Sequence, residues 1–100
     1  MSKLGEAQEK FSLMLGQIII FAYEKGFKIR MGDVFAKTGH KKNSAHYSKL
    51  AADLNLFKNG EWLVDGRGHD VLHDEWDKMG GAPRIEKDMN HYALEFEGNY

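Results

Sequence analysis

The chain has no cysteine. That excludes a disulfide framework, a thiolate metal site and a cysteine nucleophile, so any metal site must use His, Asp or Glu. It does not assign an oxidising or a reducing compartment. Proline is almost absent: Pro83 is the only one, in the irregular stretch APRIEKDMN. No apolar run approaches the roughly 20 residues that cross a bilayer. The most apolar stretch, GQIIIFAY, is short, lies after Glu6 and Glu9, and is followed by no small-residue cleavage site. It reads neither as a membrane span nor as a signal peptide, so a soluble chain without stable membrane insertion or an export signal of its own is expected. An excess of one charge sign is also missing, the net charge being −1. Nucleic-acid binders usually carry a basic surplus over the whole domain, so no nucleic-acid partner is expected.

What is present is 100 residues with 42% hydrophobic content, enough for one domain over 1–100 and a modest core. The charge is unevenly spread. Residues 1–50 carry nine Lys/Arg and four Asp/Glu, and residues 51–100 carry five and eleven. A cationic patch meeting a polyanionic surface such as a cell wall is compatible with this.

Leu4, Ala7, Phe11, Met14, Leu15, Ile18, Ile19 and Ala22 recur at spacings of three and four. They predict an amphipathic, core-packing helix over Lys3 to Lys25, stopped by Gly26. FKIRMGDVF predicts a strand over Phe27 to Phe35 with a bulge or bend at Gly32. KTGHKKNS is a basic loop. LAADLNLF predicts a strand, Asn59-Gly60 a hairpin turn, and EWLV the returning strand. A short helix is expected over His69 to Met79, between glycines, and HYALEFE is the last strand.

The stretch SAHYSKLAADLNLF places His46 and Asp53 among small or apolar neighbours. Buried polar side chains are costly unless satisfied. The two residues could form a hydrogen-bonded core pair, a proton relay, or part of a metal site with a third ligand from elsewhere. Strand alternation puts Ala52, Leu54 and Leu56 on one face, and Asp53 and Asn55 on the other. The last strand divides likewise into Tyr92, Leu94 and Phe96 against His91, Ala93 and Glu95. If these strands are neighbours, Asp53 and His91 line one cleft. The odd spacing of His46 and Asp53 then requires a bend, for which Ser48-Lys49 is suitable. Zinc suits such a set, because catalytic zinc takes three His or Asp/Glu ligands and keeps one position open. His46, Asp53 and His91 would be the ligands, with Asp88, three residues before His91, as general base. The plainer reading is a satisfied His46 and a turn or sheet acid at Asp53.

S-x-H-x6-D followed by an apolar run, then D-x-x-H opening the last strand, resembles the zinc D-Ala-D-Ala carboxypeptidase and L-alanyl-D-glutamate endopeptidase family. The residues that carry the resemblance are Ser44, His46, Ala51, Asp53, Leu54, Asp88 and His91. GDVFAKTGHKKNSAHYSKLAADLNLF and DMNHYALEFEG look like the short phage endolysins of that family, and the likeness runs from Gly32 to Gly98. The resemblance implies a small α+β domain of the hedgehog/DD-peptidase fold. It would have a small antiparallel sheet, an N-terminal amphipathic helix and one short additional helix. It also implies Zn2+ on His46, Asp53 and His91, Asp88 as catalytic acid/base, and Ser44 supporting the first ligand or the substrate. Where the family commonly has glycine between the first two ligands, this chain has Lys49. The family's substrate-clamping arginine has no clear counterpart, and Arg30 and Lys37 are the nearest cations. An Asp base resembles the endopeptidase branch more than the carboxypeptidases.

The implied activity is hydrolysis of a peptide-stem bond of peptidoglycan. The chain would be made in the host cytoplasm and act on the cell wall after release, with help from a holin-type permeabilising partner. A D-Ala-D-Ala carboxypeptidase and a non-catalytic wall-binding domain are the alternatives. HDVLH, His69 to His73, offers a rival metal motif with Asp70 as base. Two surface histidines on a solvated, acid-rich helix are the expected reading of that segment. The basic loop is expected to be a solvated rim of the cleft, with a cationic patch for an anionic wall polymer as its alternative.

Overall fold

A computed structural model describes residues 2–40 and 44–100. It is an α+β fold with two α-helices and a small antiparallel sheet. Helix α1 spans Lys3–Glu24. The Ser2 side chain caps it by accepting from Gly5 N at 2.9 Å, satisfying one of the free N–H groups of the first turn. Gly26, at φ 89°, takes the chain out of the helix.

Strand β1 is Lys28–Met31, β2 is Ala51–Lys58, β3 is Glu61–Trp62 and β4 is His91–Ala93. All pair antiparallel with β2. Asp53 N donates to Asp33 O on the β1 side, while Leu54 N donates to Asn90 O and Leu63 N to Leu56 O. Strand β1 thus runs along one edge of β2, and β3 and β4 along the other. The turn between β2 and β3 is the expected one: Asn59 and Gly60 have φ 53° and 80°, the positive pair a two-residue hairpin needs.

The expected strand over Phe27 to Phe35 is shorter than its sequence pattern. Gly32 N still bonds Asp53 O at 2.8 Å, but regular pairing ends at Met31. A Cβ at Gly32 would stand 3.1 Å from Asp53 Cβ, so glycine lets the chain cross close beside Asp53. The last strand also ends early, after Ala93, and Phe96 only bridges Asn99.

The apolar face of β2 carries Ala52, Leu54 and Leu56, all buried. Phe11, Met14, Ile18 and Ala22 of α1 and Leu72 and Trp76 of α2 complete that core with them. Helix α2 spans His69–Lys78, close to its expected range. Trp76 meets Phe11 edge-on at 6.0 Å and Tyr92 at 5.9 Å. Its indole N–H donates to Ala93 O at 2.8 Å, which binds α2 to β4. No helix among the described residues is long and apolar enough to cross a membrane.

Candidate metal centre

The bend expected at Ser48-Lys49 is a 3-10 turn over Ala45–Ser48, closed by Lys49 in the left-handed conformation at φ 62°. Ser44 Oγ caps this turn by accepting from His46 N at 3.3 Å. Ser44 is itself buried, so it supports the histidine through the backbone. The turn swings His46 back over the start of β2. Asp53 stands on the polar face of β2, and His91 is its direct register partner on β4.

Three ligand-type atoms converge there. His46 Nε2 is 3.2 Å from Asp53 Oδ1. His91 Nδ1 is 3.2 Å from His46 Nε2 and 3.7 Å from Asp53 Oδ1. Ligands about 2.0–2.1 Å from a tetrahedral zinc stand roughly 3.3 Å apart, so these edges fit one ion. The two histidine side chains are buried and the Asp53 side chain is 19% exposed. Asp53 Oδ1 is nonetheless a buried acceptor without a hydrogen bond. The 3.2 Å approach of His46 supplies proximity, not donor alignment. A lone-pair cluster of this kind, with an orphaned carboxylate oxygen, suits a cation.

Electrostatics tie His46 to Asp53. Burial opposes charge on His46, but the attraction of the adjacent Asp53 carboxylate outweighs it and raises the imidazole pKa. Burial would likewise raise the Asp53 pKa, yet His46 and His91 hold it well below the usual carboxylate range. Asp53 is therefore ionised, as a metal ligand must be. The far nitrogens, His46 Nδ1 and His91 Nε2, are buried without a hydrogen-bond partner among the described residues. A ligating imidazole usually donates there to an acceptor that orients it. Here packing orients the rings: His46 stacks on His40 at 4.1 Å and 21°, and meets His91 edge-on at 5.1 Å.

Asp88 lies in the turn before β4, where His91 N donates to Asp88 O at 3.0 Å. It is exposed, and one of its carboxylate oxygens lies within 4.8 Å of ligand atoms of Asp53 and His91. It also lines a cavity of about 170 Å³ together with Asn55, Trp62, His69 and Asn90. No family model matches this chain, and no curated protein or solved structure matches it either.

The other expected residues differ in placement. Arg30 stacks its guanidinium 4.2 Å from the Phe57 ring, near the hairpin and away from the cluster. Lys37 is exposed in the loop after β1, next to Ala36, whose N–H donates to His46 O at 3.3 Å. Lys41 and Lys42 of the basic loop lie outside the described residues. Glu95 lies past the end of β4 and is exposed, so it does not share a strand face with His91.

Both readings of HDVLH are corrected. His69 and His73 are buried, not surface histidines, and among the described residues they belong to no metal-capable group. His69 Nδ1 pairs with Tyr92 Oη at 2.7 Å, and His73 Nε2 with Met89 O at 2.7 Å. The signal was in the spacing: His69, Leu72, His73 and Trp76 occupy one helical stripe. The acids of the other face do not stand alone in solvent either, because Arg84 reaches Asp74 at 2.7 Å and Asp77 at 3.0 Å.

His40 is the site residue that sequence reasoning missed. It offers a nitrogen within 4.8 Å of ligand atoms of His46 and Asp53. Its Nε2 bonds Asp33 Oδ2 at 3.0 Å. Tyr47 Oη donates to His40 O at 2.6 Å and lies 2.8 Å from His40 N, which donates to it. A histidine six residues before His46 in an irregular loop has no periodic signature.

Proposed function

We propose that this chain is a zinc peptidase that hydrolyses a peptide-stem bond of bacterial peptidoglycan, an endolysin of the L-alanyl-D-glutamate endopeptidase type with a hedgehog/DD-peptidase-like fold. The observation that carries the reading is the convergence of His46 Nε2, Asp53 Oδ1 and His91 Nδ1 within 3.7 Å, with the Asp88 carboxylate beside them. His46, Asp53 and His91 would hold the zinc. When bound, zinc acidifies water and polarises the scissile carbonyl.

The chain's own groups do the rest. Asp88 takes the proton of the attacking water at its carboxylate and returns it to the leaving amine nitrogen. Its exposure lets the carboxylate reach both. Ser44 holds the 3-10 turn, and so His46, in place. The cavity beside Asp88 offers the Asn55 and Asn90 side chains, already hydrogen-bonded to each other at 3.1 Å, as polar groups for a peptide backbone. Digestion of purified peptidoglycan, with and without added zinc, followed by mass analysis of the new termini, tests the reading. New N-termini within the stem support it. Release of free D-alanine alone would make the chain a carboxypeptidase, and zinc binding without cleavage would leave a non-catalytic wall-binding domain.

A further inference from the structure

Helix α2 carries a buried polar stripe that the peptidase reading leaves unused. His69, His73 and Trp76 each reach across to the segment 89–93, through Tyr92 Oη, Met89 O and Ala93 O respectively. The middle tether lands one residue after Asp88 and two before His91. His73 is fully buried, and its ring lies flat on Tyr92 at 4.2 Å and 9°. A carbonyl oxygen can only accept, so the 2.7 Å contact with Met89 O places the proton on His73 Nε2. Nδ1 is left without a partner. The imidazole therefore directs its one donor at this turn.

We propose that His73 is a positioning residue of the metal centre: its hydrogen bond to the Met89 carbonyl sets the turn that presents Asp88 and His91 to Asp53. The proposal rests on the site reading given above. Met89 is held from the helix, while His91 is held by the β2 ladder and by its own N–H bond to Asp88 O. Without the His73 tether, the turn keeps its sheet-side bonds, Leu54 N to Asn90 O and Asn90 to Asn55, but Met89 loses its bond to α2.

The variants separate the hydrogen bond from the packing. His73→Phe keeps a flat ring against Tyr92 and removes the donor. His73→Gln brings an amide N–H to the position of Nε2, whereas His73→Asn is too short to reach Met89 O. Met14→Ala, in the core and away from the turn, serves as a control with lowered melting temperature. Zinc affinity is read by competition with a chromophoric chelator, and the turn by hydrogen exchange at the His91 N–H. Loss of a group that orients a metal ligand typically weakens affinity about 10- to 100-fold. That loss is expected in His73→Phe and His73→Asn, with faster exchange at His91, and His73→Gln should recover most of it. Wild-type zinc affinity and exchange in a folded His73→Phe overturn the proposal. So does an equal loss in Met14→Ala, which would make the effect one of general stability. If His73→Phe does not fold, equal behaviour of the Gln and Asn variants overturns it. A wild type that binds no zinc sinks the metal reading, while exchange at His91 still tests the turn.

Discussion

Asp53 and His91 are a direct register pair across β2 and β4, with Oδ1 and Nδ1 3.7 Å apart. Two of the three proposed ligands are therefore set by strand pairing itself. The third, His46, arrives by a separate device, the Ser44-capped turn that ends at the left-handed Lys49.

This architecture makes the metal prediction specific. The protein should bind about one zinc per chain, as one set of three ligands allows. His46→Ala, Asp53→Ala and His91→Ala should each strongly reduce occupancy, measured by elemental analysis after dialysis. His69→Gln, which removes a ligand of the discarded HDVLH motif, should leave occupancy unchanged. Loss of zinc in that variant would return the motif to consideration.

Asp88 should separate chemistry from metal binding. Asp88→Asn keeps shape but cannot take or return a proton. General acid/base groups contribute about 100- to 10,000-fold, so wall digestion should fall by at least that order while zinc stays bound. Asp88→Glu should retain more activity than Asp88→Asn. A wild-type rate in Asp88→Asn would remove it from the mechanism.

Lys49 tests the turn that carries His46. Non-glycine residues in the left-handed region cost roughly 1–2 kcal/mol, and Lys49 sits there at φ 62°, ψ 35°. Lys49→Gly should hold or raise the melting temperature and preserve zinc affinity. Lys49→Val, β-branched, should lower both. An unchanged Lys49→Val would mean that the turn does not depend on this conformation.

Parts of this fold were legible because local chemistry and tertiary structure agree. Asn59-Gly60 forms the expected turn, β2 alternates buried and polar positions as read, and α2 lies between its glycines. Other parts were not legible. The pattern from Phe27 to Phe35 continues past Met31, but the chain must clear Asp53 at Gly32, a contact no local pattern encodes. His40 belongs to the site through Asp33 and Tyr47, partners joined only by the folded loop. His69 and His73 were misread because their acidic neighbours dominate the local composition, although 69, 72, 73 and 76 make one inward stripe.

The buried histidines of α2 predict how stability depends on pH. Burial, with a smaller contribution from His73, lowers the His69 pKa from 6.5 to about 4. Burial lowers that of His73 as well. Below pH 6.5 the unfolded chain takes up protons at these positions that the folded chain refuses. The His69 contribution is thus complete above pH 6.5 and is lost as the pH falls to about 4, and that of His73 is lost in the same direction. For His69 the loss amounts to roughly 3 kcal/mol, at about 1.4 kcal/mol per pKa unit. His46 has the opposite sign, since its raised pKa gives stability that is full below 6.5 and is lost at higher pH. It therefore does not produce the acid-side loss. Urea unfolding of the metal-free protein between pH 7 and pH 4 should show a steep decline, reduced in His69→Gln, which cannot titrate. A decline equally steep in that variant would assign the acid sensitivity to other groups.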